Sequence, residues 1–393
     1  MIDVKQEVKK IESEIIEWRH QLHMIPEIHT ELPQTTAFIK ARLEEMGLTY
    51  KTYTNNGISA VIEGAEDGPV IGFRADMDAL PVKEETGLPF ASTNDYMHAC
   101  GHDAHAAMLL GAAKVLSQHK DQIKGKVVMI WQPAEETSGG SKQMIEEGCL
   151  ADPKVDRFIS MHIGNLFKDV PTGYFGVRKG PLMAACSSFN VKIIGKGGHG
   201  ARPHECIDPI LITCEIIQSL QKLVSREISP ARSAVVTVGM LHAGSIVNVI
   251  PGEAAFGGTV RCFQPEDADY LEKRIKEIIT NTAIANQAKA EIEYIRYYPG
   301  TINNVEVTEY LAECAAKIIG PEKVVEIADP STGTEDVSYY INEVPGSFGI
   351  LGSIQPFEDG IVYPHHNSKM MLDESVFWIG SAVFVQAALD FCK

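Results

Sequence analysis

The chain has 393 residues, of which 45% are hydrophobic and 22% are charged, and its formal net charge is −17. This length exceeds what a single hydrophobic core usually holds, so we predict two domains. The negative charge argues against nucleic acid and anionic membranes as partners, because both attract basic surfaces. A small anionic substrate stays compatible with it, since a bound cation can reverse the field inside a cleft.

The first 24 residues predict an amphipathic helix and no targeting signal. Apolar side chains recur among charged ones at helical spacing, at Val8, Ile11, Ile15, Trp18 and Leu22. A signal peptide would have an apolar centre, and no run of about 18 apolar residues suited to a membrane span occurs in the sequence. Eight scattered cysteines without a C-x-x-C pair predict reduced thiols and a cytoplasmic location.

Three apolar strands are each followed by metal-competent side chains. The predicted strands cover residues 70–74, 126–131 and 157–161, and they are followed by Asp76, by Glu135 and Glu136, and by His162, respectively. Strands that alternate with helical segments predict an α/β fold with a mixed, mostly parallel sheet flanked by helices. Ligands of such sheets bind at the carboxyl ends of the strands, which places these side chains at one site.

A dense group of polar side chains lies between the first two of these strands. Residues 98–105 contain a thiol, three imidazoles and a carboxylate, and an apolar helical run follows them. Thiolates, imidazoles and carboxylates bind transition metals, and crowding them is unfavourable without a cation. Cys100 and His102 are therefore candidate ligands. The alternative is a polar helix N-terminus with histidines there by chance.

The segment 186–297 predicts an inserted α+β domain of βαββαβ order. Its elements are strands at 187–194, 233–241, 253–263 and 290–297, with helices at about 208–226 and 265–288. Residues 1–185 and 298–393 would then form one discontinuous catalytic domain. The match of residues 195–200 to G-x-G-x-x-G is rejected as a nucleotide site, since no helix opens at the glycines. Those glycines instead allow His199 to project from a tight turn.

The candidate ligands outnumber what one tetrahedral ion requires. They come from five segments and comprise Asp76, Cys100, His102, Glu135, Glu136, His162 and His366. Such a set fits two ions about 3.5–4 Å apart that clamp a hydroxide. On extended backbone Glu135 and Glu136 would point to opposite sides, so that one binds metal and the other shuttles a proton. A solvated acidic loop is the alternative for this pair, and a nucleophilic thiol is the alternative for Cys100.

These residues resemble the bacterial amidohydrolase branch of the aminoacylase and carboxypeptidase-G superfamily of metallohydrolases. That branch includes hippurate hydrolases, N-acetyldiaminopimelate deacetylases and plant auxin-conjugate hydrolases. The matching stretches, which span nearly the whole chain in order, are Arg74–Pro81, His98–His105, Gln132–Glu136, Gly197–His204, Asn248–Pro251, Gly258–Arg261, Glu335–Asp336, and His366 with Asp373–Glu374.

The resemblance implies a role for each matching residue. Metal ligation is implied for Cys100, His102, Glu136, His162 and His366. The last of these is chosen over His365 because the family's histidine lies seven residues before the Asp of the Asp-Glu pair. Glu135 would be the general base, Asp76 would orient a histidine ligand, and His199 would stabilise the oxyanion in its own or a partner subunit's site. Asn248 and Arg261 would hold the substrate.

The resemblance also implies the activity and the cofactors. We expect a metal-dependent amidohydrolase that cleaves N-acyl, favouring N-acetyl, amino acids and forms a homodimer or higher oligomer through the inserted domain. Two divalent ions per subunit are expected, with Mn²⁺ favoured over Zn²⁺, Ni²⁺ or Co²⁺. Asn367–Ser368 and Val337 depart from the family's usual Pro and Phe and leave the substrate open. The alternatives are a dipeptidase or aminopeptidase of the same superfamily, a non-catalytic metal- or ligand-binding protein, and a cysteine hydrolase.

Overall fold

The computed structural model describes residues 2–137 and 139–393, and the chain divides into two units. The first unit comprises Met1–Gly180, Ile302–Pro330 and Asp336–Lys393, and the second comprises Pro181–Thr301 and Ser331–Glu335. The short stretch that ends at Glu335 differs from the predicted division, which assigned it to the first unit. It belongs to the second because the Ser331 amide donates to the carbonyl of Leu182 at 2.9 Å, and the Ala184 amide donates to Ser331 at 3.1 Å.

Helices and strands alternate along much of the chain. The helices are α1 (Val4–Lys9), α2 (Glu12–His23), α3 (Pro33–Glu45), α4 (His102–Gln118), α5 (Gly140–Glu146), α6 (Pro209–Lys222), α7 (Pro265–Ala285), α8 (Val305–Ile319), α9 (Val337–Glu343) and α10 (Phe377–Phe391). The strands are β1 (Tyr50–Thr52), β2 (Ile58–Glu63), β3 (Glu66–Asp76), β4 (Lys124–Gln132), β5 (Arg157–Gly164), β6 (Phe175–Val177), β7 (Gly180–Met183), β8 (Ala185–Ile194), β9 (Gly198–His199), β10 (Ala234–Ala243), β11 (Val249–Ile250), β12 (Glu253–Cys262), β13 (Lys289–Tyr298), β14 (Thr301–Asn303), β15 (Val324–Glu326) and β16 (Gly346–Gly352).

The first unit is built on an eight-stranded mixed sheet in the order β1-β2-β4-β3-β5-β16-β6-β15. The four central strands β4, β3, β5 and β16 are parallel, so their carboxyl ends lie next to one another at the same end of the sheet. Strand β5 is buried from Phe158 to Gly164, as expected for a parallel strand whose two faces are covered. The predicted fold class, a mixed and mostly parallel sheet with flanking helices, is confirmed.

The N-terminal segment forms two helices where one was predicted. The Ile11 amide donates to the Val8 carbonyl at 3.1 Å, an i to i+3 bond that ends α1, and α2 begins at the next residue. The apolar periodicity crosses this break, since Val8 and Ile15 are both buried. Periodicity alone therefore could not reveal it.

The second unit carries an antiparallel sheet in the order β10-β12-β8-β13. Helices α6 and α7 contribute Ile216, Leu220, Leu271 and Ile275 to a core shared with buried Phe189 of the sheet. A separate two-stranded ladder pairs β9 with β11. This is the βαββαβ order expected from the sequence, with the β9–β11 ladder added between its elements.

The described residues contain neither a membrane-spanning helix nor a disulfide bond. None of their helices is both long and apolar enough to cross a membrane. None of the eight cysteines forms a disulfide there.

A buried ion network joins α2 to the start of α4. The Arg19 guanidinium forms an ion pair with Asp103, with Nε 2.9 Å from Oδ2, and His23 Nδ1 lies 2.7 Å from the same oxygen. Arg19 Nη1 also reaches Glu374 Oε1 at 2.9 Å, just before α10. Burial alone would raise the pKa of Asp103, but Arg19 and His23 hold it well below its usual value. The network therefore depends on an ionised Asp103.

Stability should follow the ionisation of Asp103. Its folded-state pKa lies below the unfolded value of about 3.9, so the carboxylate stabilises the fold above that pH and this stabilisation is lost as pH falls through the folded-state pKa. We expect Asp103→Asn to lower the free energy of unfolding at pH 7 by about 3–5 kcal/mol. On acidification the free energy of unfolding of this variant should then fall less than that of wild type. Urea denaturation between pH 7 and pH 3 measures both, with the exposed Asp95→Asn as control. Equal acid sensitivity of Asp103→Asn and wild type would contradict the prediction.

Candidate active site

The carboxyl ends of β3, β4 and β5 bring the predicted side chains together at one end of the sheet. Strand β3 ends at Asp76, which lies opposite Gln132, the last residue of β4. Glu135 and Glu136 follow β4 after three and four residues. His162 lies within β5, two residues before the strand ends, rather than directly after a strand as predicted. Its side chain is buried.

Glu135 and Glu136 lie in a turn that is held by Asp78. The turn begins at Ala134, whose φ of 59° is left-handed. The amides of Glu135 and Glu136 donate to Asp78 Oδ1 and Oδ2, both at 3.1 Å. The extended backbone assumed from the sequence is therefore absent at this pair. One carboxylate instead fixes the backbone of two consecutive acids.

Cys100, His102 and Glu136 form a three-residue group whose candidate ligand atoms lie within 4.8 Å of one another. Gly101, with a φ of 88°, separates Cys100 from the helix that begins at His102. His102 Nδ1 lies 3.0 Å from the Asp78 carbonyl oxygen, so it carries the proton that it donates. The Nε2 atom then presents its lone pair 3.8 Å from Glu136 Oε1. The geometry prepares this imidazole to bind a cation.

Asp76 makes its closest imidazole contact with His105, which was not among the predicted ligands. Asp76 Oδ1 lies 2.5 Å from His105 Nδ1, and His105 Nε2 accepts a hydrogen bond from the Ile163 amide at 2.9 Å. Asp76 Oδ2 accepts from Arg74 Nη1 at 2.8 Å and lies 3.6 Å from His102 Nε2. Asp76 therefore orients His105 directly and borders the cluster at His102.

Both histidines near the C-terminus lie at the cluster. His365 groups with Cys100 and His162 within 4.8 Å, and its Nε2 accepts from the Asn165 amide at 3.3 Å. His366 has a left-handed φ of 66° and a half-exposed side chain, whose Nε2 lies 3.3 Å from Glu136 Oε1. The sequence choice of His366 over His365 stays a prediction, since both rings reach the site.

The electrostatics of the cluster favour a bound cation. Burial opposes the charge on His102, but Asp76 and Asp78 raise its pKa to about 10. This position therefore attracts positive charge, and a cation at Nε2 would take the place of the proton there. Burial lowers the pKa of His162 well below its usual value and that of His365 to about 3. Neutral imidazoles with available lone pairs beside carboxylates are the donors that divalent ions prefer.

Two buried polar atoms without hydrogen-bond partners test whether a metal ion fits this group of residues. His102 Nε2 and Glu136 Oε1 are buried and have no hydrogen-bond partner in the part of the chain that the structure describes. Leaving such atoms unpaired costs free energy. A cation among Cys100, His102 and Glu136 would satisfy both atoms, and thiolate, imidazole and carboxylate suit the same class of ion. The residues present therefore fit a divalent metal.

The three remaining predicted residues lie in the second unit. His199 is exposed on β9, and its Nδ1 accepts from the Ala201 amide at 3.1 Å, which leaves Nε2 as the outward nitrogen. The Asn248 carbonyl accepts from the Gly200 amide at 2.9 Å, so Asn248 and His199 are neighbours. Arg261 lies on β12, where its guanidinium contacts Thr259 and the Val260 carbonyl. Their roles toward substrate stay predictions.

Sequence reasoning assigned no role to three buried residues that organise this part of the site, namely Arg74, Asp78 and Asp336. Asp78 holds the turn of the two acids, and Arg74 joins Asp76 to Asp336. The signal for Asp78 was its spacing of two from Asp76 just after a buried strand. Arg74 stood inside an apolar strand, where a lone cation requires a buried partner.

Comparison with known proteins gives consistent matches. A model described as peptidase family M20/M25/M40 matches residues 72–390. N-acetyl-L-cysteine deacetylase of Bacillus subtilis (strain 168) is 39% identical over 380 residues, covering 96% of this chain and 88% of that protein. Thermostable carboxypeptidase 1 of Saccharolobus solfataricus is 35% identical over 394 residues, covering 99% and 98%. The solved structure of a dinuclear metal binding peptidase of the M20 family from Bacillus subtilis has a TM-score of 0.84 and 34% identity, with 98% and 99% coverage.

Proposed function

This chain belongs to peptidase family M20/M25/M40 and is a hydrolase, and from that premise we propose that it hydrolyses the amide bond of N-acyl amino acids with two bound divalent cations. The observation that carries the proposal is the group of Cys100, His102 and Glu136, with Glu135 beside it on the same turn. The similarity to N-acetyl-L-cysteine deacetylase favours a small acyl group such as acetyl.

The ligands that we propose for the two cations are Cys100, His102, Glu136, His162 and His366. Bound divalent cations lower the pKa of water and polarise an amide carbonyl. Two observations support a ligand role for Cys100: its Sγ lies 3.4 Å from His162 Nε2, and it belongs both to the group with His102 and Glu136 and to the group with His162 and His365.

Glu135 is the proposed general base. Its carboxylate takes a proton from the attacking water and returns it to the amide nitrogen as the carbon–nitrogen bond breaks. A carboxylate and a free amino acid leave. Asp78 holds the backbone of Glu135 during both transfers through its 3.1 Å hydrogen bond. His199 would stabilise the oxyanion, and Asn248 and Arg261 would hold the substrate.

His366 is preferred to His365 for a physical reason in addition to the family spacing. The Nε2 lone pair of His365 already accepts the Asn165 amide, so ligation through this atom would break a hydrogen bond. The Nε2 of His366 faces Glu136 without such a bond. The buried Nδ1 of His365 has no hydrogen-bond partner among the described residues and is the alternative donor.

We also propose a metal ion, an oligomeric assembly and a cellular location, none of which is specified by membership of the family. We propose Mn²⁺ as the favoured ion. We also propose a reducing, cytoplasmic compartment, which is supported by eight cysteines that form no disulfide in the described part of the chain. We propose a homodimer or higher oligomer through the second unit, where β10 is an edge strand with unpaired backbone groups. Exposed apolar side chains on and after this strand support it, namely Met240, Leu241, Ile246, Val247 and Val249.

Peptide substrates are the close alternative. The similarity to thermostable carboxypeptidase 1 favours a peptidase activity of the same site. We expect the purified enzyme with added Mn²⁺ to release amine from N-acetyl amino acids with a kcat/KM at least tenfold above that for dipeptides with a free amine. A panel of both substrate classes, with amine release as the readout, makes the comparison. A preference for the dipeptides would assign the enzyme to the alternative, and inactivity toward both would indicate a binding protein.

Replacing the proposed general base should separate proton transfer from metal binding. Glu135→Gln keeps the shape and the backbone hydrogen bond to Asp78 but cannot accept the proton. We expect kcat to fall by at least about 10²-fold while the metal content stays at the wild-type value. Steady-state kinetics and elemental analysis on the same preparation measure both. Near-normal turnover would overturn the role of Glu135.

Removing proposed ligands should lower metal content. We expect Cys100→Ala and His366→Ala each to weaken metal binding by about 10–100-fold or more, because each loses a donor. His365→Ala is the matched control and should keep both ions. Titration of the metal-free protein with Mn²⁺ measures the affinities. Unchanged affinity in Cys100→Ala would exclude the thiolate, and loss only in His365→Ala would reverse the assignment of the two histidines. A cysteine hydrolase would instead be insensitive to chelator and inactivated by thiol alkylation.

A further inference from the structure

The acid loop, defined as residues 133–140, is closed at its base. It joins the end of β4 to the start of α5 and carries Glu135 and Glu136. A Cβ placed on Gly140 would lie only 2.0 Å from the Pro133 carbonyl oxygen, so the two ends of the loop touch. The Gly139 amide also donates to the Ala134 carbonyl at 2.9 Å. The position of both acids thus depends on what holds this base.

One buried carboxylate binds the residues on both sides of the acid loop. Asp336 Oδ2 accepts from the Gln132 side-chain amide at 2.7 Å, at the last residue before the loop. The same oxygen accepts from the Ser141 backbone amide at 3.2 Å, at the first residue after it. All three residues are fully buried. Asp336 therefore joins the two ends of the loop, whereas Asp78 binds the amides of Glu135 and Glu136 within it.

Arg74 is the charge partner of Asp336 and links it to the cluster; burial raises the pKa of this carboxyl, and Arg74 offsets part of that effect. Its Nη2 donates to Asp336 Oδ1 at 2.7 Å and its Nε donates to Gln132 Oε1 at 2.9 Å. Its Nη1 donates to Asp76 Oδ2 at 2.8 Å. A buried carboxylate requires a charge partner and saturated hydrogen bonds, and both are present for Asp336.

We propose that Asp336 is a positioning residue that sets where Glu135 and Glu136 stand by tying Gln132 to Ser141 across the base of the acid loop. The proposal rests on the proposed function, in which Glu135 moves the proton. Asp336 itself moves no proton and acts through the loop. A displacement of about 1 Å in a catalytic group can reduce the rate by about 10²-fold. Loosening the base should therefore impair catalysis more than substrate binding.

Asp336→Asn tests the proposal, because it removes the charge and keeps the shape. In the full-length, metal-free chain, we expect faster hydrogen exchange of the amides in residues 134–137 and 139–141, by at least tenfold, and unchanged exchange in β5. In the enzyme saturated with Mn²⁺, we expect kcat to fall about 10–100-fold, with KM within threefold and two ions still bound. Asp267→Asn is the matched control, since Asp267 is buried and pairs with Arg232 at 2.9 Å in the second unit. It should change neither readout.

A second variant protects the test against a folding defect. Gln132→Met removes the hydrogen bond at one end of the loop and leaves the Arg74–Asp336 ion pair. It should produce the same local exchange and a smaller loss of kcat. Wild-type exchange over residues 134–137 and 139–141 in a folded variant would overturn the proposal, as would faster exchange throughout the chain. Recovery of full kcat by excess Mn²⁺ would overturn it too, since Asp336 would then act only on metal affinity. Inactivity of the wild type toward every N-acyl amino acid would refute the proposed function, while the exchange experiment would still decide the role of Asp336.

Discussion

The arrangement of side chains at the carboxyl ends of the central strands depends on one buried guanidinium, that of Arg74. Arg74 lies between the carboxylates of Asp76 and Asp336, both of which are fully buried. Two such anions could not be desolvated together without a shared cation, because each would cost several kcal/mol on its own. Burial works against ionisation of Asp76, yet Arg74, His102 and His105 hold its pKa well below its usual value. One side chain of β3 thereby connects the imidazoles on one side with the acid loop on the other.

The fold and the location of the site could be predicted because both follow from local signals. Short apolar strands separated by helical segments indicate a parallel sheet, and polar residues at the ends of three such strands must then converge. The exact partners could not be predicted. Asp78 accepts the amides of Glu135 and Glu136 only because the chain turns left-handed at Ala134, and no periodicity signals that turn. For the same reason the pair lies in a turn rather than on extended backbone.

Contacts between residues distant in sequence account for the other differences. The two N-terminal helices share one apolar stripe, so their break at Ile11 is invisible to spacing. The stretch that ends at Glu335 joins the second unit through backbone bonds from Ser331 to residues about 150 positions earlier. His105, which was not among the predicted ligands, is the imidazole that Asp76 orients. Its partners, Asp76 and the Ile163 amide, come from two different strands.

The position of β16 has a consequence for the order in which a nascent chain can assemble. This strand lies between β5 and β6 in the sheet although it comes near the end of the chain. Until it emerges from the ribosome, β5 has an open edge, and the segment with His365 and His366 has yet to be synthesised. The second unit is nearly contiguous, from Pro181 to Thr301, and can fold while the first waits. Such an order delays completion of the cluster until almost the entire chain has been made.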